Sequence, residues 1–401
     1  MVDAETGETF IKTLKDGKKL AFKMVGPKNA ELRILTTNNT MSGGAVSEFS
    51  SCGPTFEMRS KPQYGAIVRG AVTPQEIEDL LSSNSNPQLF NDGTKFYDYL
   101  ASVPQQGGGL VQAYDAAYST ALLSPSGLSF NDTAHFAKSL EFTLRNTDRK
   151  PATYEIMHMP AVTMYSLAKD SIYVQPFPNE AVHAAATLQF SETSIILRGG
   201  QTKTIKVSAT PPEGLDAKLF ALWSGYIAIN GTDGASLSLP YQGLTGSLHE
   251  HVVLGSNDTW ISRSTDTDPS PSPVPSNTTF TIPGPGNARS NDLLPQLSVK
   301  LALGSSKIRA DIVRISPDPK NETLTHEIWG LKTIGQPFVF PTHWKPREHN
   351  GFPWDGRIDS GSDAPPGTYK FVVRALRIHG DEMKKEDWDV STSPAVSIKY
   401  L

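Results

Sequence analysis

The sequence predicts a mixed α/β segment followed by two all-β domains, each a β-sandwich. Three observations lead there. Gly (32) and Pro (30), with many Ser, Thr and Asn, cut the chain into short segments joined by turns. Helical signals are confined to the first 120 or so residues. Beyond them, apolar and polar residues alternate with period two, as in Leu140, Phe142 and Leu144 against Glu141, Thr143 and Arg145. The expected division is 1–122 for the α/β segment, 123–250 for the first sandwich, 251–290 for a linker or loop, and 291–401 for the second sandwich.

In chain order, residues 20–24 and 32–35 are short apolar runs of strand character, and residues 37–40 and 42–44 are turn chemistry after them. Thr73 is a helix N-cap, with Pro74 at the first helical position and Glu76 closing a capping box. Ile77, Leu80 and Leu81 then share one helical face. A second helix is expected over 110–118, after Gly107-Gly108-Gly109, where the backbone can turn tightly or pack closely. Strands are expected at 140–145, 153–157, 204–209, 223–230 and 236–241, a sandwich of about 120 residues. Residues 264–275 read Ser-Thr-Asp-Thr-Asp-Pro-Ser-Pro-Ser-Pro-Val-Pro, a composition for an extended linker or long exposed loop. Strands at 297–303, 309–315, 368–376 and 396–401 make the last domain.

Bulk properties exclude several function classes. A net charge of −4 with 19% charged residues points to no nucleic-acid partner. No run of about 18 apolar residues exists, so no membrane span is expected. One cysteine, Cys52, excludes an intrachain disulfide framework. Six Asn-x-Ser/Thr sequons, at Asn38, Asn131, Asn230, Asn257, Asn277 and Asn321, point toward secretion, although the start at Met1 has neither the basic nor the apolar region of a signal peptide.

The residues give no catalytic, cofactor-binding or metal-ligating set. Cys52 has no histidine near it in sequence, and a buried structural thiol accounts for it. His249-Glu250-His251 places two histidines on one side of a strand, half of a metal site without a third ligand. Asp355, Asp359 and Asp363 lack the spacing of a calcium loop. The run from Gln105 to Gly109 lacks the Lys-Ser/Thr of a phosphate-binding loop.

Phe49-Ser50-Ser51-Cys52-Gly53-Pro54, followed by Lys61-Pro62 and Ala66, resembles the segment that approaches the nucleophile of subtilisin-like serine proteases. Gln105 to Ala113 resembles a stretch near the end of that catalytic domain. The stretch from Leu123 to Tyr241 is similar to the fibronectin type III-like domain that comes after it in fungal and plant members, with Leu222-Trp223-Ser224-Gly225-Tyr226-Ile227 and Leu239-Pro240-Tyr241-Gln242-Gly243 carrying the likeness. Trp354-Asp355-Gly356 through Pro366-Gly367-Thr368-Tyr369 resembles a turn-plus-strand motif of immunoglobulin-like domains such as that of the flagellar hook-capping protein. The resemblance implies an α/β remnant of a subtilisin-like domain at 1–122, a secreted parent enzyme, and polypeptide substrates cleaved through an acyl-enzyme.

This chain departs from that pattern where chemistry is done. The Asp and His motifs of the family would precede Met1, and Ala66 runs into Ile67 where the Gly-Thr-Ser-Met-Ala motif would intervene. His379-Gly380-Asp381 is the nearest look-alike of the His-Gly-Thr motif. Loss of one triad member already costs several powers of ten in rate. The chain is therefore expected to be inactive, with residues 1–120 poorly packed. The alternative is a non-catalytic β-sandwich protein that binds partners or surfaces.

Overall fold

The computed structural model describes residues 73–317 and 325–401, with a few positions between Thr9 and Asp16. Among those few, Thr9, Lys12, Thr13 and Lys15 are helical. The Phe49–Ala66 segment, Cys52, the runs at 20–24 and 32–35, and the sequons at Asn38 and Asn321 lie outside the described residues.

The helix Pro74–Ser83 begins as the sequence requires. Thr73 Oγ1 accepts from Glu76 N at 3.2 Å, and Glu76 Oε2 accepts from Thr73 N at 2.8 Å. Leu80 and Leu81 face Ala116 and Leu122. The second helix is shorter than expected, Ala113–Tyr118. Leu110 instead bridges Asn86, with N–H···O bonds of 2.8 and 2.9 Å in both directions, and a backbone so committed cannot join a helix. A hairpin, Leu89–Asn91 with Phe96–Leu100, seats Phe90 against Val162 and Met164. The backbone N–H of Val103 donates to Ser224 Oγ at 3.0 Å, and Tyr226 OH donates to Gly107 O at 3.1 Å. Residues 73–120 are thus packed on the first sandwich, contrary to expectation for this part of the chain. Leu80, Leu81, Phe90, Ala101 and Val103 are buried there, while Leu110, Val111, Tyr114 and Tyr118 stay exposed.

The first sandwich stacks two sheets. One has the order Ala121–Ser124, Ser139–Asn146, Thr202–Thr210, Thr187–Phe190. The other runs Ser194–Leu197, Ala152–Pro160, Ala221–Gly231, Ser236–Thr245, Leu128–Ser129, its last pair parallel and the rest antiparallel. The expected boundary at 122/123 falls inside the strand Ala121–Ser124. The period-two pattern sets the register: Phe142 lies opposite Ile205 and Leu140 opposite Val207. Phe142, Leu144, Ile205, Trp223, Ile227 and Tyr241 fill the space between the sheets. Each such buried apolar side chain contributes about 1.5–3 kcal/mol.

Two motif glycines have a steric reason. Trp223 pairs with Gly243, and Gly225 pairs with Tyr241. A Cβ on Gly243 would sit 2.1 Å from the Trp223 ring, and one on Gly225 would sit 2.7 Å from the Tyr241 hydroxyl. Each aromatic ring lies over the glycine across from it, which only an absent side chain allows.

The second sandwich has one sheet of Thr259–Arg263, Pro295–Leu301 and Glu348–Pro353. Its other sheet runs Thr278–Ile282, Val396–Tyr400, Gly367–Leu376, Ser305–Arg314, Thr342–Lys345, with Trp388–Thr392 added on Gly367–Leu376. The expectation of a linker or loop over 251–290 is corrected here, because it supplies two of these strands. Thr259–Arg263 pairs with Pro295–Leu301, and Thr278–Ile282 pairs in parallel with Val396–Tyr400. The Ser/Pro run between them is tied down as well. Val274 is buried in the core, its N–H donates to Ile261 O at 2.8 Å, and Trp260 Nε1 donates to Pro271 O at 2.9 Å. Composition hid this, because one valine and two carbonyls suffice to dock an otherwise polar loop. Trp354 packs in the core edge-on to Tyr369 and Phe371, and Gly367 opens a strand, as the turn-plus-strand motif implies.

Candidate functional site

The sequence-selected residues do not converge. His249 and His251 sit in a turn and diverge: His249 Nε2 meets Asp387 Oδ1 at 3.0 Å, and His251 Nε2 meets the Ile172 carbonyl at 2.9 Å. Asp355 accepts from Arg357 Nε at 2.8 Å and from two backbone amides, those of Gly286 and Arg357. Asp359 accepts from Gln336 N and Nε2 at 3.0 and 3.2 Å. Both carboxylates hold loops. Gln105 is buried in the short helix Val103–Gln106.

One Ser–His contact is present among the described residues. His349 Nε2 lies 3.0 Å from Ser298 Oγ, which lies 2.8 Å from Ser262 Oγ. Both serines are fully buried, and the neighbour of the imidazole is the Trp260 ring. Burial holds the His349 ring below its usual pKa range. A hydroxyl that no substrate reaches, with no carboxylate hydrogen-bonded to its histidine, does not make a nucleophile.

The richest polar constellation lies where the two sandwiches meet. The segment joining them has its amides held from both sides. Asp132 Oδ2, in the first sandwich, accepts from Leu248 N at 2.8 Å. Asp389 Oδ2, in the second, accepts from Val253 N at 2.6 Å, while Asp389 Oδ1 pairs with Arg377 at 2.7 Å. Around them, Leu167, Phe220, Leu244 and Leu248 form an apolar cluster against which Leu303 and Ile378 of the second sandwich pack. Lys300 Nζ stands 4.1 Å over the Tyr173 ring.

At the edge of this junction are three groups far apart in sequence. Asp132, fully buried, accepts at Oδ1 from both the backbone N and Nδ1 of His135, each at 2.8 Å. The His135 ring stacks at a tilt on His379, their centroids 4.1 Å apart. The ligand-capable atoms of all three lie within 4.8 Å of one another. His379 adopts φ 59°, a backbone conformation in which His is enriched, and its ring meets that of His135 in the first sandwich. Burial, then the adjacent His135, lowers its pKa from the ordinary histidine value. Sequence reasoning singles out His379 only as a motif look-alike, because no local spacing links residues from two domains.

A second feature is a cleft of about 260 Å³ in the second sandwich, lined by Arg289, Phe338, Val339, Trp354 and Arg357 among others. Phe338 and Val339 are exposed, and the Arg357 guanidinium lies 4.7 Å over the Phe338 ring. No helix among the described residues is long and apolar enough to cross a membrane.

Residues 128–242 match the family model described as an Fn3-like domain, so an Fn3-like domain is present in the first sandwich. No curated protein matches the chain. Solved structures similar to it include the PapD-like domain 7 of human CEP192, at 8% identity over 32% of this chain and 85% of that one, TM-score 0.23. Others are the E. coli chaperone DraB, at 11% identity over 70% and 96%, TM-score 0.21, and the Pseudomonas aeruginosa CupB2 chaperone, at 7% over 67% and 98%, TM-score 0.20. Scores this low carry no inference about fold or role.

Proposed function

We propose that this chain is the C-terminal, β-sandwich portion of a secreted subtilisin-like serine endopeptidase, and that as written it does not hydrolyse peptide bonds. The observation that carries the reading is an order along the chain. A segment resembling the approach to the subtilisin nucleophile, at Phe49–Ala66, is followed by an Fn3-like domain at 128–242, as in the family. In such an enzyme the Fn3-like domain braces the catalytic domain, and the packing of residues 73–120 on its outer sheet fits that task. Exposed sequon asparagines at Asn230, Asn257 and Asn277 fit a secreted glycoprotein. Sequencing the full transcript tests the reading. Codons for His-Gly-Thr upstream of Met1, and for Gly-Thr-Ser-Met-Ala between Ala66 and Ile67, are expected.

The second reading, a non-catalytic binding protein, is favoured by the cleft beside Trp354. Its exposed Phe338 and Val339 and its two arginines would suit an extended peptide with an aromatic or acidic side chain. An uninterrupted transcript lacking both motifs favours this reading over the first.

A further inference from the structure

We propose that Asp132, His135 and His379 bind a divalent transition-metal ion of the zinc class, clamping the two sandwiches together. Two imidazoles and one carboxylate form a donor set that zinc takes readily, with a fourth position left for water. Nitrogen donors argue against calcium or magnesium, which take oxygen ligands. The 2.8 Å between His135 Nδ1 and Asp132 Oδ1 is a hydrogen bond that an ion would replace, Nδ1 giving up its proton and the pair opening to the roughly 3.4 Å between neighbours in a tetrahedral zinc shell. Asp132 is already oriented by the His135 and Leu248 amides, so one ligand is fixed before any ion arrives. The His135 and His379 rings are on exposed residues, which gives an ion a path in and lets side-chain rotation close the 4.8 Å spread.

The site draws two ligands from the first sandwich and one from the second. An ion held there would bind only when the sandwiches are docked, and would therefore stabilise the docked state. The inference is independent of the protease reading, since it needs only the junction.

The test uses the full chain without a histidine tag, stripped with EDTA, desalted and titrated with zinc chloride alone by calorimetry. One zinc per chain is expected. His135→Ala and His379→Ala should each weaken binding at least about tenfold, whereas the remote exposed His343→Ala should change it less than about twofold. Cobalt(II) loaded in place of zinc should give the visible absorption of a four-coordinate ion, and both ligand variants should lose it. Circular dichroism in EDTA checks that each variant is folded, and His379→Gln replaces any that is not. Absence of zinc binding at millimolar metal, or binding unchanged in both histidine variants, overturns the proposal.

Discussion

The two β-sandwiches bury their most demanding side chains by different means. The first uses shape. Trp223 and Tyr241 occupy space that Gly243 and Gly225 vacate on the neighbouring strand. The second uses charge. On its larger sheet the fully buried Asp311 accepts from Arg309 Nη2 at 2.8 Å and from the buried Arg374, and both guanidiniums lie under the Trp329 ring at 5.7 and 5.4 Å. Shape complementarity between glycine and an aromatic ring demands particular residue types in particular order, so it leaves a readable motif. An ion pair demands only opposite charges within reach, here Asp311 with Arg309 two residues back on its own strand and with Arg374 diagonally across, so it leaves no motif. This is one physical reason that a family pattern can be seen in the first domain and is less evident in the second.

The largest effect that would sharpen this contrast is expected at Asp311. Asp311→Ala leaves Arg374 buried without its anion and should cost about 3–5 kcal/mol in denaturant unfolding. A loss below about 1 kcal/mol would mean that the guanidinium finds water, and the charge-based account of the second sandwich would fail. Next comes Gly243→Ala, which forces a methyl into the Trp223 ring and should cost about 1–3 kcal/mol. Combining it with Trp223→Leu should recover part of the loss, because the clash is with that ring; full additivity of the two costs would contradict the pairing.

The junction is expected to respond less. Asp389→Asn weakens the acceptor for Val253 N and the pair with Arg377, at a cost of about 0.5–1.5 kcal/mol. Amide exchange at Val253 and Leu254 should accelerate while exchange inside both cores stays slow. The smallest effect is one of pH. His158 is half-buried with Nε2 at 2.6 Å from Tyr241 OH, and desolvation lowers its pKa in the folded state. The unfolded chain takes up this proton near the ordinary histidine value of about 6.5, the folded chain only at lower pH. The stability tied to it is therefore complete above about 6.5 and declines as pH falls toward the folded value. His158→Gln should flatten that slope below about pH 7 in denaturant midpoints.

How much of this was legible in the sequence depended on range. The capping box at Thr73 and Glu76 and the alternation at Leu140–Arg145 are written within a few residues, and both helix start and strand register come from them. Strands such as Glu348–Pro353 and Thr278–Ile282 were not legible, because the first is polar and the second sits among turn residues. Each exists because a partner strand supplies its hydrogen bonds. The junction was the least legible of all. Asp132, His135 and His379 acquire a relation only when two domains dock, and neither side contains a motif.

We propose that the chain, as it stands, is a paired-sandwich portion without peptidase chemistry. The measurement that tests it most directly is incubation of the purified 401-residue chain with casein and with a serine-directed fluorophosphonate probe. The account predicts intact casein and no label on the chain. Label on the chain that heat denaturation abolishes, together with casein cleavage that co-purifies with it, would contradict the account.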